Sequence, residues 1–403
     1  MKTTIGDDGL PFLPLEEYLQ LSLQEIDALR REVPVLRTTS NRVSILRDHD
    51  VRALMSHPGL VQIPGPEFCD FVGIPPGRCR TFLETFMLMT NGEDHKHRRG
   101  AFARVFAHPV LRQKRDQVRV VADRVIADLP RGAPFDFLAL CASRLPAEMI
   151  AEVLGLNTED SGWFAQHVYS LSKCLMLPFV GSEDIDEIEA SADALYEFVA
   201  ATLEDRRTAP QDDMISMLVT DESDRALESE ELIYQIMGLI LGGSDTTRSG
   251  FNMIVARLLS DRSLWDEVKA DRRLIPNAIN EALRLEPPVA GVARYSVGPI
   301  DVAGVTLAAG QLVGLATMSA MRDETLITDP EVFDLHREDQ PLPHVVFGAG
   351  AHRCLGEMLA RLEMEEGLSA LLDSAPDIEL IEAPEMVGVL GLRKSTPMIA
   401  RIP

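Results

Sequence analysis

The chain has 403 residues, 46% of them apolar and 25% charged, which is ordinary globular usage; it can bury a core large enough to enclose a ligand, and disorder is excluded. Its 63 acidic against 39 basic side chains leave a formal charge of -24, which favours solubility and excludes a chain that as a whole seeks phosphate backbones or anionic lipid. The five cysteines, Cys69, Cys79, Cys141, Cys174 and Cys354, include no CxxC pair, so any important cysteine is expected to act alone rather than in a disulfide framework or a zinc site.

The opening stretch, MKTTIGDDGLPFLPLEEYLQ, carries acids and prolines where a secretion signal or membrane anchor needs an uninterrupted apolar run. The expectation is a cytoplasmic protein with no membrane contact and no nucleic-acid partner. Pro11, Pro14, Pro34, Pro64, Pro66, Pro75 and Pro76 should interrupt helix, so residues 1–94 are expected as strands and loops. From 95 to 290 the apolar spacing is mostly helical, as in Val118, Val121, Ala122, Val125 and Ile126, with breaks near Pro130 and Pro178. Within it, Ser229 to Ser260 reads as one long helix. Ser229 is a plausible N-cap, Glu230 and Glu231 suit the first turn, and LIYQIMGLILGG is strongly apolar. Between Val297 and Leu315, β-branched residues punctuated by Gly and Pro predict short strands joined by tight turns. No repeat, low-complexity tract or composition shift marks a boundary, so one domain over 1–403 is expected, mainly α with minor β, with small sheets in 291–403.

Chemistry concentrates at Phe347-Gly348-Ala349-Gly350-Ala351-His352-Arg353-Cys354-Leu355-Gly356, followed by a helical run. A thiolate is favoured near a helix N-terminus, and glycines let the backbone curl round a sulfur. A lone cysteine after a turn is ordinarily buried and structural, so spacing has to decide. The segment resembles the cytochrome P450 haem signature F-G-x-G-x-H-x-C-x-G at every fixed position, an accident with odds on the order of one in a million at average residue usage. That resemblance implies a P450 fold, a helical bundle around haem b (iron protoporphyrin IX) plus small sheets. It makes Cys354 the axial iron ligand in the loop 347–356, with Phe347, Gly348, His352 and Gly356 shaping the cofactor seat.

The rest of the chain carries further blocks of the resemblance, in order from about His95 to Arg361. Gly242-Gly243-Ser244-Asp245-Thr246-Thr247 is similar to the family's A-G-x-(D/E)-T-T on its oxygen-binding helix, with Gly242 where alanine is usual. Dioxygen activation needs protons while bulk water is kept out, and Asp245 and Thr246 fit an acid and an alcohol for that task. The plain alternative is a glycine kink with a Thr bonding back to the i-4 carbonyl. Glu281 and Arg284 have E-x-x-R spacing, which puts both on one helix face; the resemblance makes them a structural ion-pair network completed by Arg337, with His344 a structural hydrogen-bonding residue. Haem propionates need cationic or hydrogen-bonding partners, and the resemblance assigns them His95 and Arg99 in an H-x-x-x-R helix motif, Arg294 and His352.

Lys96, Arg98, Arg99, Arg104, Arg112, Lys114, Arg115, Arg119 and Arg124 face only Asp116 and Asp123 in the same stretch, a basic island in an acidic protein. The resemblance makes Lys96–Arg124, with the Cys354 face, a docking surface for ferredoxin; a solvated basic helix face is the plain alternative. By analogy the pocket draws on the loop 61–89, residues near 175–179, Gly238, Leu241, Gly242, Val289, Val292 and Val389, mostly apolar, which implies a hydrophobic small-molecule substrate. Arg78 and Arg80 could meet a substrate carboxylate, although exposed loop charges are the commoner fate. The implied activity is monooxygenation with O2 and electrons from NAD(P)H through ferredoxin reductase and ferredoxin, by a monomer. A peroxide-driven peroxygenase would not need Asp245 and Thr246, and a haem sensor would need neither relay nor pocket.

Overall fold

A computed structural model of the chain describes residues 3–6, 9–103, 105–106, 108–156, 161–175, 180–221, 223, 226–340 and 344–403, with the side chains of 108–110 and 161 left aside. Arg104, Pro178 and residues 176–179 of the expected pocket lie outside these. The chain folds as two compact units, each drawing on three separate stretches.

The first unit takes the chain up to Ile63, then Pro276–Cys354 and Met386–Ser395. Its centre is a seven-stranded sheet in the order Thr4–Ile5, Pro11–Phe12, Val35–Thr39, Arg42–Ile45, Leu312–Leu315, Val292–Ser296, Leu60–Val61. Leu312–Leu315 runs parallel to Arg42–Ile45, pairing Val313 with Val43 and Leu315 with Ile45, and antiparallel to Val292–Ser296. Val43, Ile45, Val313 and Leu315 are wholly buried, each worth about 1.5–3 kcal/mol over exposure. The strands expected between Val297 and Leu315 are there. Ile300–Val302 and Val305–Leu307 form a hairpin. Its two-residue turn places Ala303 at φ 48° and Gly304 at φ 79°, the left-handed pair that matches the twist of a tight hairpin.

The second unit takes Pro64–Ile275, Leu355–Glu385 and Thr396–Pro403. It is a helical assembly in which Arg115–Ala127 packs on Glu357–Ser374, and Ser229–Ser260 packs on Arg144–Leu154, Ser161–Ser172 and Ser182–Thr208. The long helix has the predicted ends and runs through its glycines without interruption. Its N-cap, however, is Glu228, without a side-chain cap; Ser229 is the first helical residue, and its hydroxyl accepts from Arg207 Nη2 at 2.7 Å. A three-stranded sheet, Glu379–Glu382, Ile399–Arg401 and Pro134–Asp136, completes the unit.

The first 94 residues depart from expectation. Leu23–Glu32, Asp48–Met55, Gly65–Val72 and Arg78–Thr85 are helices rather than strands or loops. Pro64 and Pro66 start a helix instead of breaking one, because the first turn has no amide bond to lose. Arg78–Thr85 is capped by another helix: the Glu189 carboxylate of Ser182–Thr208 accepts from the amides of Arg78 and of Cys79, the latter at 3.1 Å. Among the described residues no helix is long and apolar enough to cross a membrane.

Candidate active site

In the first unit, the loop predicted to carry the thiolate is built from two short 3-10 turns, Val345–Phe347 and Gly350–His352. Gly348 lies at φ 70° and Gly350 at φ 66°, a region that disfavours side chains. A methyl group on Gly350 would also come within 2.9 Å of Ser56 Oγ. The chain doubles back so that the amide of Cys354 donates to Phe347 O at 2.7 Å and the amide of Arg353 to Gly350 O at 3.2 Å. Phe347 packs against the sheet core, His352 is half-buried, and Gly356 is the N-cap of Glu357–Ser374. Cys354 is exposed, whereas Cys69, Cys79, Cys141 and Cys174 are buried, with burial pushing the Cys69 and Cys141 thiols up to about 12. Of the five cysteines, Cys354 alone is exposed.

Arg294, on the strand Val292–Ser296, is buried. Its Nη1 donates to Gln62 Oε1 at 2.7 Å and to Ala293 O at 2.9 Å. Among the described residues no carboxylate pairs with it, and desolvation pushes it down to about 10. A buried cation without a counter-charge suits an anion-bearing group, so the residues fit a cofactor with carboxylates and an iron that takes a thiolate. Glu281, Arg284 and Arg337 do converge: Glu281 Oε1 sits 2.6 Å from Arg284 Nε, and its Oε2 sits 3.0 Å from Arg337 Nε. His344 is buried, with Nε2 3.4 Å from Gln340 Oε1. Val289 and Val292 pack on the sheet core and Val389 on a second apolar cluster.

In the second unit, Gly242 is exposed midway along a largely buried helix, and a methyl group there would meet nothing within 4 Å. One turn on, Thr246 Oγ1 donates to Gly242 O at 3.2 Å, the back-bonded geometry of the plain alternative, though without a break in the helix. Asp245 is buried, its Oδ1 2.5 Å from Arg248 Nη2. Gly238, expected to line the pocket, packs against the Phe86 ring, and a methyl group on it would collide with that ring. Leu241 is buried beside it. His95, on Gly92–Ala103, is buried, and desolvation, then the neighbouring Arg99 charge, pushes its pKa down, which favours a neutral imidazole. Arg99 is half-buried.

The basic island is largely neutralised by the fold. Lys96 pairs with Glu93, Arg98 with Glu231, Arg115 with Glu365 and Glu366, Arg119 with Asp123 and Asp373, and Arg124 with Glu148. Among the described residues Arg112 has no acidic partner and is exposed. Arg78 and Arg80 are likewise engaged. Arg78 meets Asp193 at 3.1 Å and the Tyr234 hydroxyl at 3.2 Å and stacks over Tyr196, while Arg80 pairs with Asp70 and Glu84.

Four residues escaped the sequence reading. Arg248 had a signal, its i+3 spacing from Asp245. Tyr169, whose ring lies 3.8 Å under the Arg248 guanidinium, had none. Gln235 bridges the long helix to Thr85 O at 2.9 Å and to the Met87 amide at 2.8 Å. Glu363 is buried with neither oxygen hydrogen-bonded among the described residues, and burial pushes it well above the usual carboxylate range.

The family profile described as Cytochrome P450 matches residues 173–374. A plant-inducible protein of Rhizobium radiobacter, Cytochrome P450-pinF1, is 36% identical over 93% of this chain and 88% of its own. Nocardicin C N-oxygenase of Nocardia uniformis subsp. tsuyamanensis is 34% identical over 75% of this chain and 74% of its own. Among solved structures, ligand-free Cytochrome P450 TbtJ1 superposes with a TM-score of 0.83 over the whole of both chains at 26% identity.

Proposed function

This chain belongs to the cytochrome P450 family and is a monooxygenase; from that premise we propose that it inserts one atom of O2 into a hydrophobic small molecule, using electrons from NAD(P)H passed through ferredoxin reductase and ferredoxin. Two electrons and two protons are consumed per turnover, and the second oxygen atom leaves as water. Haem is the family's cofactor; when bound as haem b it supplies the reduction and cleavage of dioxygen, which a thiolate ligand promotes by donating electron density.

In this reading Cys354 would hold the iron through its thiolate, and Phe347, Gly348 and Gly356 would shape its seat. Arg294 gives a propionate a counter-charge, with His95, Arg99 and His352 as further donors. Asp245 and Thr246 hold and move the protons, and Gly242 leaves room on the same helix face. Leu241 supplies apolar pocket wall, as do Val289, Val292 and Val389. The observation that carries the reading is Cys354 itself: the one exposed cysteine of five, on a loop whose backbone requires two glycines in the left-handed region. Ferredoxin docking is supported by Arg112, an exposed cation of the island with no acidic partner among the described residues.

The test is the carbon monoxide difference spectrum of the reduced protein and of Cys354→Ala. A Soret band at about 450 nm that the substitution abolishes is expected of thiolate ligation. A band at about 420 nm in fresh wild type, or no haem, overturns it.

A further inference from the structure

Asp245 and Thr246 are adjacent in sequence, yet their functional atoms face opposite ends of the helix. The Thr246 hydroxyl reaches back one turn to Gly242 O, at 3.2 Å. The Asp245 carboxylate reaches forward to Arg248 Nη2, at 2.5 Å. Exposed ion pairs at this spacing do little, but this one is not exposed: the side chains of Arg248 and Asp245 are 14% and 4% accessible. Nor is Arg248 held by Asp245 alone. Its guanidinium lies 3.8 Å above the Tyr169 ring, and the Tyr169 hydroxyl is fixed by donating to Ser143 O at 2.7 Å. Among the described residues Arg248 Nε is buried and makes no hydrogen bond, and the plane of the fork lies over the Tyr169 ring. A cation over an aromatic face in a desolvated place is well anchored, and a planar fork dictates where a carboxylate can sit.

We propose that Arg248, seated on Tyr169, is a positioning residue for the acid of the acid–alcohol pair. It fixes the place from which the Asp245 carboxylate serves Thr246. The inference rests on the reading in which Asp245 and Thr246 move protons. Tyr169 and the long helix belong to one compact unit, so Tyr169, Arg248 and Asp245, from two helices, act as one mount.

The experiment uses the haem-loaded enzyme with ferredoxin, ferredoxin reductase and an oxidised substrate, on wild type, Asp245→Asn, Arg248→Lys, Tyr169→Leu and Tyr169→Phe. Arg248→Lys keeps the charge and loses the fork; Tyr169→Leu removes the stacking surface; Tyr169→Phe keeps it. Readouts are product formed per NAD(P)H consumed, the solvent isotope effect on kcat, KM, the substrate-induced spin-state shift, and crystal structures showing the Asp245 carboxylate. General acid–base steps contribute about 10²–10⁴-fold. Arg248→Lys and Tyr169→Leu should therefore lower kcat and coupling by roughly tenfold and change the isotope effect, leaving KM and the spin shift as in wild type. Both should show the carboxylate displaced, and Tyr169→Phe should lie near wild type. If Asp245→Asn has these effects but Arg248→Lys and Tyr169→Leu do not, or the carboxylate stays in place in both, the positioning role is overturned. If Asp245→Asn itself changes neither coupling nor isotope effect, the acid–alcohol reading falls, and this inference with it.

Discussion

Two arginines of the first unit are both buried and differ in what they are given as partners. Arg284 is wedged against Glu281, with 2.6 Å and 2.9 Å contacts to the two carboxylate oxygens, and spends its remaining donor capacity on the carbonyls of Pro330 and Val332. Arg294 has an amide oxygen from Gln62 and the carbonyl of Ala293, and desolvation acts on it unopposed. The fold completes the charge balance of Arg284 by itself, and among the described residues it gives Arg294 no carboxylate. Burial alone therefore does not sort structural from ligand-binding arginines; the identity of the counter-charge does.

The contrast breaks most visibly at Glu281. Glu281→Ala strands Arg284 and Arg337 in the interior, and removing one partner of a buried pair costs about 3–5 kcal/mol, a large share of a typical domain's stability. Urea unfolding should show it, and a loss under about 1 kcal/mol, the scale of an exposed pair, would erase the distinction drawn above. Arg294→Leu should do the reverse. Haem bound per chain falls severalfold, while the haem-free protein keeps or gains stability, because a buried unpaired charge has been replaced by packing. Undiminished haem content with a lowered urea midpoint would place Arg294 among the structural arginines. The smallest effect belongs to an arginine outside the interior. Arg112→Glu should leave stability unchanged while slowing ferredoxin-supported turnover about tenfold at low salt and flattening its salt dependence. An unaltered rate and salt response would move the docking surface elsewhere.

What could be read from the chain alone follows the range of the forces involved. The loop 347–356 was legible because its constraints are local: positive φ at Gly348 and Gly350, and a backbone bond from Cys354 to Phe347. The E-x-x-R pair and the long helix were legible for the same reason, helical spacing. The helix Arg78–Thr85 was not, because its N-terminus is capped by Glu189, far along the chain. The Phe86 ring beside Gly238 was not legible, because periodicity cannot tell a glycine that opens space from one that admits a neighbouring ring. The basic island appeared larger than it acts, since Glu365, Glu366 and Asp373, which neutralise Arg115 and Arg119, come from a helix near the other end of the chain.

Gly242 and Gly238 stand one turn apart on the same helix and offer opposite prospects to a lineage acquiring new substrates. Alanine is favoured over glycine in a helix by about 1 kcal/mol, and at 242 it would touch nothing within 4 Å. A methyl group can therefore be added at residue 242 without prior compensation elsewhere, leaving foldability alone. At 238 the Phe86 ring already fills the space, and any newcomer demands a second, simultaneous change. Diversification of this enzyme should thus be recorded at the first position and silent at the second.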